Sequence, residues 1–242
     1  MKEKGMAVWY IYGTIIVLVL WHLIASLVML PIIPSPWRVM VNLYTIFFDK
    51  IAIHSFYSLW RIVAGVLLAV IVGIPIGYCM GYLPRFDRAL SPIVYLTYPI
   101  PKIALLPVMM LLFGLGELSK ILLIFLIIVF QVIVAVRDEV KSIPKETYYS
   151  LYSLGAGLMD IVREILVPAS LPKILTSLRV AMATAISVLF FTETFGTQYG
   201  MGYFIMDAWM RVNYLEMYSG IMVLSSIGLT LFGTILSGKK NV

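Results

Sequence analysis

Residues 58–81 read SLWRIVAGVLLAVIVGIPIGYCMG, and this stretch decides the fold class. A helix that crosses the hydrocarbon core of a bilayer needs about 20 mostly apolar residues. Here the only charge is that of Arg61, near the start. Small residues recur at every fourth position, a spacing that lets helix backbones approach closely in a membrane; they are Gly65, Ala69, Gly73, Gly77 and Gly81. The stretch therefore predicts a closely packed transmembrane helix.

The rest of the chain contains further apolar runs of similar length. They predict spans at about residues 9–30, 90–113, 118–136, 174–195 and 215–236, and the run at 90–113 is interrupted by Pro92, Pro99, Pro101 and Pro107. Only 12% of the 242 residues are charged, whereas a soluble domain has about a quarter, and the mean hydropathy is +1.00. We predict an all-α integral membrane protein of about six transmembrane helices, with residues 1–242 as a single transmembrane domain. The first run exceeds the ~7–15 apolar residues of a cleaved signal, so we expect a retained anchor.

The placement of lysine and arginine predicts orientation, because cytoplasmic loops are enriched in both. If the N-terminus is cytoplasmic, one side carries Lys2, Lys4, Arg85, Arg88, Arg137, Lys141, Lys145, Arg163, Lys173, Arg179, Lys239 and Lys240. The other side carries Arg38, Lys50, Arg61, Lys120 and Arg211, and Lys102, inside the third predicted span, is assigned to neither side. We therefore expect a multi-pass protein of the plasma or inner membrane with both termini in the cytoplasm. The same bias accounts for the net charge of +6 without nucleic acid as a partner.

The only sizeable polar segment, residues 137–172, falls on the predicted cytoplasmic side. A first short helix is expected to end at Gly155, which suits a left-handed cap. A second is expected at residues 158–166, with Pro168 and Pro172 ending the segment before the next span. The apolar face of this second helix is predicted to comprise Leu158, Ile161, Val162 and Ile165. Such a pair of helices either lies on the lipid headgroups or docks on a partner.

Gly155 is followed, after nine residues, by Ile165-Leu166-Val167-Pro168. This spacing resembles the cytoplasmic EAA loop of the permeases of binding-protein-dependent ABC importers, whose pattern is E-A-A-x₃-G-x₉-I-x-L-P. In this chain the three residues 149–151, Tyr-Ser-Leu, occupy the E-A-A positions. The glutamate of the family is therefore either absent here or represented by Glu146.

The resemblance extends along the chain to the nitrate, sulfonate and taurine branch of these permeases. It rests on IPSP at 33–36, SLWR at 58–61, PKIALLP at 101–107, FGLG at 113–116, Glu193 and GMGY at 200–203. It implies the transmembrane fold of a type I ABC importer, with a permease core at about 54–236 and a coupling loop at 137–172. The residues implied to couple the chain to its ATPase are Tyr149, Ser150, Leu151, Gly155, Ala156, Leu158, Asp160, Ile161, Ile165 and Pro168.

The resemblance also implies the partners: an ABC ATPase, an extracytoplasmic solute-binding protein and a second permease copy, in a homodimer or a heterodimer. ATP and Mg²⁺ are then expected on the ATPase, and no catalytic residue, cofactor or metal on this chain. The solute stays open among nitrate, sulfonates, taurine and vitamin precursors. The sequence agrees in having no phosphate-binding loop of its own, because the nearest match to G-x-x-x-x-G-K-[S/T] ends on Lys240 instead of a hydroxyl residue.

Two other function classes were weighed. An intramembrane enzyme is disfavoured because neither H-E-x-x-H nor G-x-S-x-G occurs. An ion-coupled secondary transporter places ionisable groups inside its bundle, and Glu193 is the main acidic candidate. We expect this carboxylate to face the bundle interior or a wet cavity, helped by Thr192 and Thr194, or else to lie in water at the interface. Together with Pro101 and Lys102, these residues form the predicted translocation pathway.

Overall fold

The computed structural model describes the backbone of residues 2–240 and the side chains of residue 9 and residues 11–234. Every regular element in that part of the chain is helical. The elements are α1 (Lys2–Val28), α2 (Pro36–Ile46), a π-turn (Phe47–Ile51), α3 (Ala52–Tyr82), α4 (Pro84–Thr97), a 3₁₀ turn (Lys102–Leu105), α5 (Leu106–Phe113), α6 (Glu117–Ser142), α7 (Glu146–Ser153), α8 (Leu158–Ile161), a second π-turn (Val162–Leu166), α9 (Val167–Glu193), α10 (Met201–Met210) and α11 (Tyr214–Lys240). The side chains of the four terminal lysines in the charge comparison, Lys2, Lys4, Lys239 and Lys240, lie outside the described residues.

Five helical stretches are long and apolar enough to cross a membrane. They are Ile11–Val28, Pro36–Tyr82, Glu117–Ser142, Leu158–Glu193 and Tyr214–Thr234. A sixth span is broken: α4 and the stretch Lys102–Phe113 meet at an angle of 81°. Pro99 and Pro101 lie in the break, where proline removes backbone donors and clashes with a continuing helix. The prediction of an all-helical protein with about six spans is confirmed.

Two helices start earlier than the spans predicted within them, for related reasons. The helix that contains the second span begins at Pro36, because a π-turn joins α2 to α3 without a break. The helix that contains the fifth begins at Leu158, so the prediction that Pro168 and Pro172 end the loop is wrong, because both lie within this helix. The π-turn ahead of Pro168 makes a wider Val167 N–H to Val162 carbonyl bond, and such turns let a helix absorb a local irregularity and continue.

The small-residue stripe of α3 packs directly against α6, as the spacing predicts. A Cβ added at Gly77 would lie 2.6 Å from the Cβ of Val136, and one added at Gly81 would lie 2.5 Å from the Cβ of Val140. These distances are shorter than any normal contact, so only glycine allows the two backbones to come this close. α6 in turn packs against α9, and α9 against α11. Polar side chains gather at the two opposite ends of this bundle.

Candidate functional site

The turn between α7 and α8 has the glycine cap that the sequence predicts. Gly155 has φ +74°. Its N–H donates to the carbonyl of Tyr152, and the N–H of Ala156 donates to the carbonyl of Leu151, both at 3.1 Å. This pair of bonds is the Schellman arrangement that closes a helix on a left-handed residue. The direction in which the chain leaves α7 therefore depends on the backbone freedom of Gly155.

The residues that follow this turn start the long fifth span. The N–H of Gly157 donates to Oδ2 of Asp160 at 2.8 Å, which caps the new helix. Ile161 and Ile165 are only 2% and 5% exposed and belong to the core of the chain itself, whereas Leu158 is 58% exposed. The predicted single apolar face is therefore wrong. Because the helix continues into the bundle, its isoleucines pack inward, whereas Leu158 in its first turn stays open to a partner.

Besides Tyr152, four large apolar side chains are exposed around the turn. We call them the loop-tip patch: Tyr149, Leu154, Leu158 and Met159 are 61%, 84%, 58% and 76% exposed. Leu154 and Met159 were not among the predicted coupling residues. The sequence could have identified them by their apolar character within a short polar segment. Of the remaining predicted coupling residues, Ser150 and Pro168 are exposed, whereas Leu151 and Ala156 are half-buried.

A tyrosine cluster fastens the loop to the end of α3. The hydroxyls of Tyr82 and Tyr152 share a hydrogen bond of 2.8 Å, and the buried ring of Tyr148 lies between them, with its centroid 6.0 Å from that of Tyr82 and 6.3 Å from that of Tyr152. Burial raises the pKa of Tyr148. Glu146 is exposed, and no carboxylate takes part in these contacts. Tyr148 and Tyr152, which directly flank the three E-A-A positions, thus hold α7 in place.

At the opposite end of the bundle, Glu193 lies in a buried polar network. Its Oε1 accepts from Nη1 of Arg61 at 2.8 Å, and Ser58 donates to both of its oxygens at 2.8 and 2.9 Å. Arg61 also donates to both oxygens of Glu117 at 2.6 Å. The side chains of Arg61 and Glu193 are 0% exposed, and that of Glu117 is 41% exposed. Buried charges in proteins are paired and hydrogen-bonded in this way.

This geometry settles two expectations about Glu193. The carboxylate faces the bundle interior, so the alternative of an interfacial group in water is wrong. The expected help from Thr192 and Thr194 is also wrong, because each hydroxyl donates to a carbonyl of its own helix, at 2.8 and 2.7 Å respectively. These threonines lie where a preceding-turn carbonyl is within reach, and hydroxyl residues in helices commonly bond in this manner.

The GMGY motif gains a structural explanation from the same network. The N–H of Gly202 donates to Oε2 of Glu193 at 2.9 Å. A Cβ added at Gly202 would lie 2.5 Å from the carbonyl oxygen of Phe190, and one at Gly200, which has φ +130°, would lie 2.5 Å from Cδ of Glu193. Both glycines are required because the backbone passes against the carboxylate.

The predicted pathway residues Pro101 and Lys102 lie elsewhere, at the break in the third span. Lys102 is 8% exposed and lines a cavity of about 290 Å³. The other polar side chains of this cavity are those of Tyr98, Gln131 and Thr184. Glu193 is not among the lining residues. The predicted pathway residues thus occupy two separate places, one a structural network and the other an open cavity.

Known proteins share both the sequence and the fold of this chain. The family model described as binding-protein-dependent transport system inner membrane component matches residues 65–238. The taurine transport system permease protein TauC of Escherichia coli is 34% identical over 90% of this chain and 83% of its own length. The formylaminopyrimidine transport permease protein ThiX of Halalkalibacterium halodurans is 28% identical over 91% and 89%.

The fold is also that of a solved transporter. A chain of the MetNI methionine ABC transporter, in an inward-facing conformation, superposes with a TM-score of 0.64 over 81% of this chain and 95% of that chain, at 18% identity. The superposition confirms the predicted type I importer fold, and the sequence matches confirm the family. This chain belongs to the binding-protein-dependent ABC importer permeases, as a multi-pass, non-enzymatic membrane component of the nitrate, sulfonate and taurine branch.

Proposed function

We propose that this chain forms a translocation pathway with a second permease copy, and that its loop around Gly155 docks on a separate ABC ATPase. The observation that carries the docking is the loop-tip patch. Four large apolar side chains stand exposed on a loop that is itself held to the bundle by the tyrosine cluster. Several large apolar side chains exposed close together along the chain are typical of an interaction site.

The same arrangement supports a cytoplasmic loop and cytoplasmic termini. At the loop end, Arg85, Arg88 and Lys145 are exposed and have no carboxylate within 4.0 Å in the described part of the chain. At the opposite end Lys50 and Arg211 both pair with Glu216, at 2.6 and 2.9 Å. Hydrogen bonds to Asp207 and Glu216 raise the pKa of Arg211. The positive-inside rule counts lysine and arginine alone, and by that count the loop end is the cytoplasmic one.

ATP and Mg²⁺ then bind on the ATPase, and the energy of hydrolysis reaches this chain through the loop. Closure of two ATPases pulls the loops together and rocks the bundles from an inward-facing to an outward-facing state. An extracytoplasmic binding protein delivers a small solute to the opened pathway. The names of the relatives indicate sulfonates and vitamin precursors as the solutes to test first.

Co-expression tests the proposal. The permease is tagged, produced with the ATPase encoded beside it, and purified in detergent; ATP-dependent solute uptake is then measured in proteoliposomes with the binding protein. We expect the ATPase to copurify with the permease, and Leu154→Ser with Met159→Ser to abolish copurification while insertion remains normal. The matched control is Ile32→Ser, an exposed apolar position far from the loop. Normal copurification of the double variant would leave the loop as a hairpin on the headgroups.

A further inference from the structure

The break in the third span borders a cavity that is also lined by α6 and α9. The backbone from Tyr98 to Lys102 lies between two helices that meet at 81°. Gln131, which lines the same cavity, lies near the middle of α6. Irregular backbone at membrane depth is tolerated only where protein buries it or where it lines a water-filled cavity. We infer that the break lines a recess, whose walls carry polar as well as apolar side chains.

The ammonium group of Lys102 in this recess has no counter-charge. It donates to the carbonyls of Thr97 at 2.8 Å and Tyr98 at 3.1 Å, and lies 5.1 Å from the ring centroid of Phe130. No carboxylate lies within 4.0 Å of it among the described residues. The other two buried cations differ: Arg61 pairs with two glutamates, and Lys120 lies in the field of the same two. Lys102 alone of these three is uncompensated.

Two neutral polar groups face the cavity beside it. Neither the amide of Gln131 nor the hydroxyl of Thr184 makes a hydrogen bond within the described part of the chain, although each lines the cavity. An ammonium has three donors, and the carbonyls of Thr97 and Tyr98 occupy two of those of Lys102. Together with the hydroxyl of Tyr98, which also lines the cavity, the recess therefore offers one charged donor and three neutral polar groups that make no hydrogen bond in the described part of the chain.

We propose that this cavity binds the anionic group of the transported solute, a carboxylate, sulfonate or similar oxyanion, with Lys102 as the charged ligand and Gln131 and Thr184 as neutral ones. The inference rests on the proposed function, because it places the site in the pathway of an importer. An uncompensated cation inside the membrane is a functional group in most proteins that contain one. The cavity volume of about 290 Å³ suits a small solute.

The competing interpretation is structural: Lys102 only caps the last carbonyls of α4. Three substitutions separate the two roles. Lys102→Gln keeps an amide donor for these carbonyls and removes the charge, Lys102→Met removes both, and Lys102→Arg keeps both. The control is Arg88→Gln, which removes one positive charge from the exposed surface of α4. The melting temperature of each variant reports the capping role by itself.

Uptake is measured in proteoliposomes with the ATPase and the binding protein, using labelled taurine, ethanesulfonate, bicarbonate and, as the comparison without an anionic group, formylaminopyrimidine. We expect Lys102→Gln and Lys102→Met to lower uptake of the anionic probe at least about tenfold, the equivalent of one charge-assisted hydrogen bond. Lys102→Arg and Arg88→Gln are expected to retain most of the uptake of the anionic probe. All four variants are expected to bind the ATPase. The inference would be overturned if Lys102→Gln took up the anionic probe at the rate of the wild-type protein. It would also be overturned if the wild-type transporter took up formylaminopyrimidine and none of the anionic probes.

Crystals soaked in sodium bromide give a test that does not depend on knowing the solute. We expect an anomalous peak in contact with Lys102 in the wild-type transporter and none there in Lys102→Gln. Absence of the wild-type peak would refute the anion site even if transport is normal. Failure of the proposed function would be seen differently, as loss of ATPase copurification in the wild-type protein.

Discussion

Nη1 of Arg61 lies 2.8 Å from Oε1 of Glu193, and neither side chain has any exposed surface. The pair joins α3 to the end of α9, and Glu117 extends it to the start of α6. Three spans are thus tied at one end by charges that the sequence places far apart. The carboxylate that the sequence marked as the best pathway candidate is engaged with its own chain.

The first prediction concerns this pair. Glu193→Gln is expected to lower the free energy of unfolding by about 3–5 kcal/mol, because it leaves the buried guanidinium of Arg61 partly uncompensated. Glu117→Gln, at the exposed edge of the network, should cost less. Thermal unfolding in detergent, followed by size-exclusion chromatography, measures both. A Glu193→Gln protein as stable as wild type but defective in transport would restore the pathway role.

The second prediction concerns the turn of the loop. Gly155→Val should insert normally but lose its ATPase, or retain it without solute-stimulated hydrolysis, because a β-branched residue adopts φ +74° with difficulty. Apart from the two adjacent residues, no heavy atom of the described residues lies within 4 Å of an added Cβ, so the effect is one of backbone conformation and not of crowding. Gly155→Asn is the matched control, since asparagine tolerates this region. Equal copurification and hydrolysis in the valine variant would contradict the role of the turn.

The third prediction concerns the tyrosine cluster. Tyr82→Phe and Tyr152→Phe should each weaken the coupling of ATP hydrolysis to uptake. Each substitution removes the same hydrogen bond, which contributes about 1 kcal/mol. The double variant should therefore be no worse than either single variant. Tyr44→Phe, at an exposed ring on α2 with no described hydrogen bond, serves as the control. Additive losses in the double variant would show that the two hydroxyls act independently.

The fourth prediction concerns topology. With Cys79 replaced by serine, cysteine at Gln198 should react with an impermeant maleimide in intact cells, whereas cysteine at Thr147 should react only after lysis. Both positions are exposed, so a difference in labelling reports the side of the membrane. Labelling of position 147 in intact cells would reverse the orientation and remove the basis for ATPase docking.

The sequence by itself determined the class of the protein and the number of its spans. Long apolar runs force helices in a bilayer because backbone groups must bond within their own segment, and the glycine spacing of α3 already indicated its close contact with α6. The cap at Gly155 was equally predictable, since left-handed backbone favours one residue type. Each of these features depends on residues that are near one another along the chain.

Only the tertiary structure decided what the charged residues do. Arg61 and Glu193 are 132 positions apart, so no local pattern could pair them, and the resulting ion pair changes the role expected of Glu193. Lys102 is the converse case, because no carboxylate among the described residues lies within 4.0 Å of its ammonium group. This feature can be recognised only when the residues packed around Lys102 are known. Continuation of α9 through Pro168 likewise depended on a π-turn that local propensity does not predict. Charge compensation and helix continuity are properties of the packed bundle, and they decide which polar residues are left to bind a solute.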